Sequence, residues 1–355
     1  MRDMSNAKIF LVSFLMLFLE MSLIRWISTE IRIFAYVNNL VLLACFLGIG
    51  LGCYYSTKPS NLTMTFLALL ALMLLVTNPV VKEAPMLLSV LSRGEIWFPS
   101  SPHHLVMQTV IGLLSTLTIF SLIATAFAPL GQILGQLLSR HPNTIVAYSL
   151  NIAASLAGVW YFNFLSFSYL PPWVWFAAIT ACLTLFTVWT KLNVAVVGGL
   201  LAAICLMAAQ PFMTHQRIIW SPYQKLQAVP VMRQPVSQEY FVTVNNVNYM
   251  LLLDLSENTA RQVLGLSDYA QRRLGPYNIP YLFNPGARDV LIIGAGGGND
   301  AAGALRSGAQ HVTVANRTLE QAVLLAARYH GHATGLEHPA AELAEADIAI
   351  VATAA

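Results

Sequence analysis

The sequence predicts a polytopic bundle of about seven membrane-spanning α-helices, followed by a small β-rich unit and a truncated parallel α/β domain. Hydrophobic residues make up 57% of the 355-residue chain and charged residues only 10%. Apolar runs of about 20 residues, enough to cross a bilayer as helices, recur through the first part of the chain. After residue 213 these runs stop and the polar fraction rises. The two parts of the chain are therefore expected to occupy different environments.

The bundle is assigned to residues 1–213. The predicted spans are 9–27, 37–55, 63–81, 105–128, 144–168, 173–190 and 193–210. The first span contains Glu20 and has no small-residue cleavage site behind it. We therefore expect it to remain as a span and not to be removed as a signal peptide. The lipid bilayer is the first expected partner.

Two ionisable residues, Glu20 and Arg25, fall in the first span, where an uncompensated charge is costly. Two interpretations are open. Either Arg25 extends to the interface beside Trp26 while Glu20 pairs within the bundle, or both form a polar site for a substrate or a proton. In the second span, Gly48 and Gly52 lie on one helical face, which favours close helix packing over a phosphate-binding loop.

Residues 214–288 are predicted to form a β-rich lid or linker, because residues 217–256 alternate apolar and polar side chains in short β-prone pieces. Residues 289–355 follow the strand and helix alternation of a parallel α/β sheet. The predicted strands are 290–293, 311–315 and 347–352, and the predicted helices lie near 299–307, 319–329 and 339–345.

A glycine turn joins the first strand of this domain to its first helix. Gly294, Gly296 and Gly298 form a G-x-G-x-G pattern, which lets the backbone approach a ligand and directs helix N–H groups towards it. The sixth position of the full dinucleotide fingerprint is Asn299 and not glycine. The sequence therefore predicts a partial Rossmann-like nucleotide-binding domain with an incomplete fingerprint.

The residues that would contact the ribose follow the second strand. An acidic residue is expected about 20 positions after the glycine turn. Asn316 stands there, followed by Arg317 and Thr318. Losing a charged hydrogen bond costs about 1.5–3 kcal/mol, which weakens binding of an S-adenosylmethionine-type nucleoside. Arg317 beside two neutral hydrogen-bonding side chains instead suits the 2′-phosphate of NADP.

Most of residues 10–312 resembles the bacterial membrane-fused spermidine synthase-like proteins. The matching pieces include "FLEMSLIRW", "APLGQILG", "AYSLNIAASLAG", "WSPYQKL", "NYMLLLDLS" and "YNIPYLF". This resemblance implies an aminopropyltransferase or class I methyltransferase-type protein that binds decarboxylated S-adenosylmethionine or a related nucleoside. It also implies that Tyr223 and Gln224 cover the nucleoside, that Tyr277 or Tyr281 lines the amine side, and that the glycine turn holds the cofactor.

The end of the chain resembles a different family. The stretch from "VTVANRTLEQAVLLAARY" through "LAEADIAIVATAA" is similar to the NADP-binding domain of glutamyl-tRNA reductases and shikimate dehydrogenases. The resemblance covers residues 290–355 and implies that Asn316, Arg317 and Thr318 contact the adenosine phosphate. NADP is thus the alternative cofactor.

Three functions stay open: a membrane-anchored spermidine synthase-like transferase, an NADP-binding redox or sensor module on a membrane bundle, and a non-enzymatic bundle with a remnant soluble domain. Catalysis is left undecided, and we expect the chain alone to be incomplete for it. Neither resemblance brings complete catalytic residues: Asp347 opens the fourth strand instead of following it, and all four cysteines fall in predicted spans.

The expected partners are the bilayer and a small-molecule nucleotide. A net charge of +3 is too small to indicate nucleic acid, and no metal-ligand spacing is found. Another chain or an oligomer is expected to cover the edge of the truncated sheet. We expect the bundle in the bacterial inner membrane, and binding of a cytosolic nucleotide would put the C-terminal domain on the cytoplasmic side.

Overall fold

The computed structural model describes residues 2–31, 34, 38–77, 102–230, 239–253, 276–294, 296–337 and 339–352. The chain divides into two compact units. The first unit comprises residues 1–227 and 243–248, and the second comprises residues 228–242 and 249–355. The segment 254–275 of the predicted lid lies outside the described residues.

Seven apolar helices of the first unit lie within the described residues, one for each predicted span. They are α1 (Arg2–Glu30), α2 (Asn38–Tyr54), α3 (Leu62–Thr77), α4 (Pro102–Ser139), α5 (Thr144–Phe167), α6 (Pro172–Thr184) and α7 (Lys191–Met213). By length and composition, four segments can cross a membrane: Ser5–Glu30, Gly112–Ser139, Thr144–Phe167 and Lys191–Met213. Helices α2, α3 and α6 have only 17, 16 and 13 residues. Several long apolar helices therefore fit a membrane protein, but the described residues do not show seven full-length spans.

Local sequence signals explain where several of these helices begin. The Asn143 side chain caps α5 by accepting a hydrogen bond from the Val146 N–H at 3.2 Å. The Thr190 hydroxyl caps α7 in the same way, accepting from the Asn193 N–H at 3.2 Å. Pro172 occupies the first position of α6, where a missing N–H costs nothing. Each cap satisfies a backbone donor that the helix itself leaves unpaired.

Close contact between α2 and α4 explains the glycines of the second span. A Cβ at Gly48 or Gly52 would collide with the α4 backbone at the carbonyls of Ala124 and Ala128. Reciprocally, a Cβ at Gly131 of α4 would lie 2.6 Å from the Ile49 carbonyl oxygen. The prediction of close helix packing is therefore confirmed, and the phosphate-loop interpretation is excluded because this segment is helical.

Four strands follow the bundle and form a sheet in the order β1-β2-β3-β4. They are β1 (Arg217–Trp220), β2 (Lys225–Pro230), β3 (Tyr240–Val244) and β4 (Val247–Leu252). Asn245 and Asn246 connect β3 to β4 with φ values of 49° and 60°. Positive φ at both positions is typical of a two-residue hairpin turn, and asparagine tolerates it. The β-rich character predicted for residues 217–256 is confirmed in the described strands, which lie between residues 217 and 252.

The second unit contains a parallel sheet in the order β7-β6-β5-β8. A 3₁₀ turn (Pro276–Asn278) and α8 (Ile279–Phe283) lead into β5 (Asp289–Ile293), α9 (Asn299–Arg306), β6 (His311–Ala315), α10 (Leu319–Arg328), β7 (His332–Thr334), α11 (Pro339–Glu345) and β8 (Ile348–Val351). In chain order this is 3-2-1-4, the first part of a doubly wound nucleotide-binding sheet. The three predicted strands and helices are confirmed, whereas β7 was missed because three residues carry no readable periodicity.

The core of this unit lies between the sheet and its helices. Val290 and Ile292 of β5 pack with Val312 and Val314 of β6 and with alanines of α9 and α10. Strand β8 pairs with β5 alone among the described strands, and Val351 at its end is 66% exposed. Val351 is thus an exposed apolar residue at the end of the described sheet.

Candidate nucleotide-binding site

The glycine turn lies between β5 and α9 at the carboxyl edge of the parallel sheet. Gly294, Gly296 and Gly298 have φ values of 75°, 49° and 89°, which other residues adopt only with strain. The Gly294 N–H donates to the Ala315 carbonyl at 2.9 Å, which holds the turn against the end of β6. Gly298 precedes α9, so the first N–H groups of that helix lie at this edge.

Helix α10 packs against one side of the turn. The Tyr329 hydroxyl donates to the Gly298 carbonyl at 3.3 Å. A Cβ at Gly298 would lie 2.7 Å from that hydroxyl and 3.4 Å from the Leu325 side chain. Glycine is therefore needed at position 298 for two reasons: the positive φ, and the short distance to the Tyr329 hydroxyl.

The end of β4 packs against the other side of the turn. A Cβ at Gly297 would collide with the Leu252 side chain and would lie 3.2 Å from Met250 Cε. Gly297 is thus explained by packing within the protein. Gly297 therefore need not be counted among the glycines that make room for a ligand.

Asn299 occupies the position where the full fingerprint has glycine, and it has a structural task there. Its Nδ2 donates to the Leu251 carbonyl at 2.6 Å and to the Tyr277 hydroxyl at 2.8 Å. Its Oδ1 accepts from the Leu253 N–H at 3.2 Å. Asn299 therefore ties β4 and the segment before α8 to the start of α9, a role that the sequence did not reveal.

A cavity of about 300 Å³ opens beside the turn, at the ends of β5 and β6. Its lining includes Gly296, Asn316, Gln321 and Arg328. Gln321 and Arg328 are one heptad apart and so face the same side of α10. Sequence reasoning missed both, because only the orientation of α10 brings them to this cavity.

One residue of the predicted ribose-contacting triplet, Asn316, lines this cavity. Asn316 is half-buried, and its N–H donates to the Thr334 carbonyl at 3.3 Å. Arg317 and Thr318 follow and are exposed. Thr318 is the N-cap residue of α10 but makes no side-chain capping bond. The structure therefore brings Gly296 and Asn316 to one cavity and leaves Arg317 accessible next to it.

Tyr277 and Tyr281 pack against α9. A Cβ at Gly303 of α9 would lie 2.9 Å from Tyr277 Cβ, so glycine permits this contact. The Tyr281 side chain is 7% exposed and belongs to the apolar core. Burial, helped by the nearby charge of Asp300, raises the pKa of Tyr281 to about 12. Both tyrosines thus have a packing role, and their place on the amine side of a substrate stays a prediction.

Tyr223 and Gln224 belong to the first unit and are exposed in the turn between β1 and β2. Their predicted role over a nucleoside is untested. The turn itself is held by Arg25, whose guanidinium donates to the carbonyls of Ser221 and Pro222. Arg25 therefore anchors this turn to α1.

The structure describes the surroundings of Trp26 and Glu20 in α1. Trp26 is 1% exposed and packs edge-on against Phe176 at 4.9 Å between ring centroids, so its ring is buried among protein side chains. Glu20 is 4% exposed and makes no hydrogen bond or ion pair among the described residues. The expected pairing of Glu20 within the bundle is therefore not found among the described residues, and Arg25 is engaged with the β1–β2 turn.

Sequence reasoning also missed a buried ion pair, which joins the end of α1 to the start of β2. Lys225 Nζ lies 2.7 Å from Glu30 Oε1, with side chains 4% and 7% exposed. Asn246 Oδ1 accepts from Lys225 Nζ at 3.1 Å, and Asn246 Nδ2 donates to Glu30 Oε2 at 3.2 Å. The two charges are separated by 195 positions in the chain, which no local pattern relates.

The sheet order, the glycine turn and the adjacent cavity define a dinucleotide-type α/β domain at the C-terminal end of the chain. Residues 283–355 match the family of shikimate / quinate 5-dehydrogenases. Glutamyl-tRNA reductases of Bacillus cereus strain B4264 and Bacillus thuringiensis strain Al Hakam are each 47% identical over 68 residues. That stretch is 19% of this chain and 15% of each reductase. No solved structure matches the chain.

These matches support the resemblance of the C-terminal domain to glutamyl-tRNA reductases and shikimate dehydrogenases. They give no support to the spermidine synthase-like resemblance of the N-terminal part. The chain shares only a small fraction of the length of the reductases that it matches.

Proposed function

We propose that the second unit binds NADP, and that the chain is an NADP-binding redox or sensor module attached to a helical membrane bundle. The observation that carries this proposal is the cavity shared by Gly296 and Asn316, with Arg317 exposed next to it. The glycine turn would hold the pyrophosphate at the start of α9, and the end of β6 would hold the ribose.

The chemistry of the cavity favours a phosphorylated ribose. None of the described residues that line it is acidic, and Arg328 contributes a guanidinium. A carboxylate at this point would accept from the ribose hydroxyls of NAD and would repel a 2′-phosphate. Two arginines and two neutral polar side chains instead supply charge-assisted donors, which are about twice as strong as neutral ones.

The similar proteins carry redox names, a reductase and a dehydrogenase, which supports a hydride-transfer or nicotinamide-sensing role for this domain. The transferase interpretation, with decarboxylated S-adenosylmethionine or a related nucleoside, remains a competing proposal. Asn316 in place of the ribose-binding acid disfavours it by about 1.5–3 kcal/mol. As part of the NADP-binding proposal, we also propose that the bundle has seven complete spans in the bacterial inner membrane. The C-terminal domain then lies on the cytoplasmic side.

The test is ligand-induced thermal stabilisation of the detergent-purified full chain with NADP, NAD, S-adenosylmethionine and its decarboxylated form at matched concentrations. A ligand present at a hundred times its Kd stabilises the folded state by about 2.7 kcal/mol. We expect NADP to stabilise the chain more than NAD does. Stabilisation by the adenosylmethionine compounds alone would support the transferase, and no shift with any ligand would support a non-enzymatic bundle.

The matched variants are Arg317→Ala and Arg306→Ala. Arg306 lies in the last turn of α9 and does not line the cavity. Arg317→Ala should reduce the affinity for NADP by about tenfold or more while leaving the affinity for NAD unchanged. Arg306→Ala should leave both affinities unchanged. Equal losses of NADP and NAD binding in Arg317→Ala would contradict recognition of the 2′-phosphate.

A further inference from the structure

A cavity of about 420 Å³ lies in the first unit, at one end of the helix bundle. It is bordered by the C-terminal turns of α1, α3 and α7, by the start of α6, and by β1 and the first residue of β2. Its size falls in the range of about 300–1,000 Å³ that is typical of small-molecule sites. Nothing in the proposed NADP site involves these elements.

The walls of this cavity are mainly aromatic and aliphatic. Trp26, Trp173 and Trp220 line it, together with Phe212 and Ile218. Trp26 and Trp220 are 1% and 7% exposed, so their positions are fixed by the surrounding core. A ligand that displaces water from such walls gains about 25 cal/mol for each Å² of apolar surface buried. The body of the ligand is therefore apolar.

The charges at the cavity compensate one another. Glu30 and Lys225 both line it, and they form the ion pair of 2.7 Å with Asn246 bonded to each partner. Lys225 Nζ also lies 5.5 Å from the centre of the Trp220 ring. A charged ligand would bring an uncompensated charge into this largely apolar site, which disfavours its binding. The geometry therefore selects against ions of either sign.

Uncharged polar groups among the lining residues can offer neutral hydrogen bonds. Gln210 lines the cavity, and its side-chain amide makes no hydrogen bond among the described residues. Pro211, inside α7, has no N–H, so the Met207 carbonyl lacks its helical donor. An amide and a free carbonyl can bind a hydroxyl or a carbonyl group, which requires one uncharged polar end on the ligand.

We propose that this cavity binds an uncharged amphipathic molecule from the bilayer, with an apolar body and a single hydroxyl or carbonyl head held by Gln210. The apolar body packs between the tryptophans, and the head lies at the end of the bundle where helices meet strands. Tryptophans are enriched where membrane helices meet the polar boundary of the bilayer, so three tryptophans at the end of an apolar helix bundle suit a lipid-soluble ligand. This site is independent of NADP binding.

The probe for the test is a diazirine-bearing farnesol, photocrosslinked to the purified full chain in detergent and mapped by peptide mass spectrometry. Competitors are farnesol, farnesoic acid and farnesylamine, which share one chain and differ in the charge of the head. We expect crosslinks on the peptides containing Trp173 or Phe212, saturable by farnesol. The acid and the amine should compete at least about tenfold less well, because each adds a charge.

Two variants separate the site from non-specific partitioning. Ala208→Phe fills the cavity that Ala208 lines, whereas Ala202→Phe places the same ring at an exposed position of the same helix. Ala208→Phe should abolish saturable crosslinking, and Ala202→Phe should preserve it. Gln210→Leu, which keeps the volume and removes the amide, should weaken competition by farnesol about tenfold. Thermal unfolding of each variant checks that it is folded.

Three results would overturn the proposal. These are crosslinks that farnesol does not saturate, equal labelling of Ala208→Phe and Ala202→Phe, and stronger competition by the amine or the acid than by the alcohol. The last result would show that the Glu30–Lys225 pair opens to accept an ion. Because NADP binding is measured separately, failure here leaves the proposed function of the second unit unaffected.

Discussion

Lys225, the first residue of β2, forms a buried ion pair with Glu30, the last residue of α1, at 2.7 Å. Asn246 in the β3–β4 turn completes the contact by bonding to both side chains. Breaking a buried pair by removing one partner leaves a bare charge, which costs more than the pair contributes when intact. The pair therefore fixes how the strands of the first unit attach to its first helix.

We expect Lys225→Met to destabilise the first unit by about 3–5 kcal/mol, because Glu30 is left charged and buried. The double variant Glu30→Gln with Lys225→Met should recover most of the loss. Denaturant unfolding in detergent, followed by tryptophan fluorescence, measures both. Lys191→Met, at an exposed position, is the control. A double variant no more stable than the single one would show that charge is not the cause.

Two glycines of α2 should respond in opposite directions to alanine. Gly52→Ala places a Cβ against the α4 backbone and should cost about 1–3 kcal/mol by forcing the helices apart. Gly50→Ala meets nothing within 4 Å and should stabilise the helix by about 0.5–1 kcal/mol. Thermal unfolding in detergent compares them. Equal effects would mean that α2 and α4 do not pack as closely as described.

Asn299→Ala should loosen the contact between β4 and the glycine turn. It removes hydrogen bonds to Leu251, Leu253 and Tyr277, and we expect a loss of about 1–3 kcal/mol in the second unit. Faster amide exchange at the end of β4 is the observable. Asn284→Ala removes only an exposed bond of 3.4 Å and serves as the control. An unchanged rate of amide exchange at the end of β4 in Asn299→Ala would show that Asn299 does not hold β4 against the glycine turn.

Asp347 links β8 to β5 and makes the sheet sensitive to acid. Its Oδ2 accepts from the N–H groups of Arg288 and Asp289 at 2.7 Å and 3.0 Å. These bonds hold the pKa of Asp347 below its usual value. Because the folded pKa lies below the unfolded one, the stabilisation is complete above the unfolded pKa of about 3.9. It is lost as the pH falls through the folded pKa.

Asp347→Asn should therefore speed amide exchange in β8 at neutral pH, with intrinsic rates corrected. The difference from the unaltered chain should shrink as the pH falls below about 4. Glu345→Gln, at an exposed position in α11, should show no such convergence. A difference that persists at acid pH would show that the Asp347 charge does not stabilise the strand.

Arg328 is expected to contribute to nucleotide affinity if the proposed function holds. It lines the cavity together with Asn316, which lies twelve positions earlier in the chain. Arg328→Ala should weaken NADP binding by about tenfold, since a charged hydrogen bond contributes about 1.5–3 kcal/mol. Titration calorimetry of the full chain measures this, with Arg306→Ala as the control. Unchanged affinity would remove Arg328 from the site.

The candidate site could be predicted from sequence to the extent that its residues are neighbours along the chain. The glycine turn and the Asn316–Thr318 triplet follow directly from strands 290–293 and 311–315, so their place at one sheet edge was predictable. Gln321 and Arg328 enter the cavity only through the orientation of α10. From the sequence, Asn299 is only a departure from the glycine fingerprint. Its structural role could not be predicted, because its partners Leu251 and Tyr277 are remote in sequence.

The sequence by itself determined the local structure of this protein: seven apolar helices, the β-prone segment after them, and the strand–turn–helix elements of the C-terminal domain. Hydrophobic periodicity, caps and glycines act over a few residues, so they can be read without a fold. Only the tertiary structure decided that Trp26 is buried, that Arg25 bonds to the β1–β2 turn, and that Glu30 pairs with Lys225. Those outcomes depend on which helix faces meet, and the energy of a buried charge or ring is set by neighbours that the chain brings from far away.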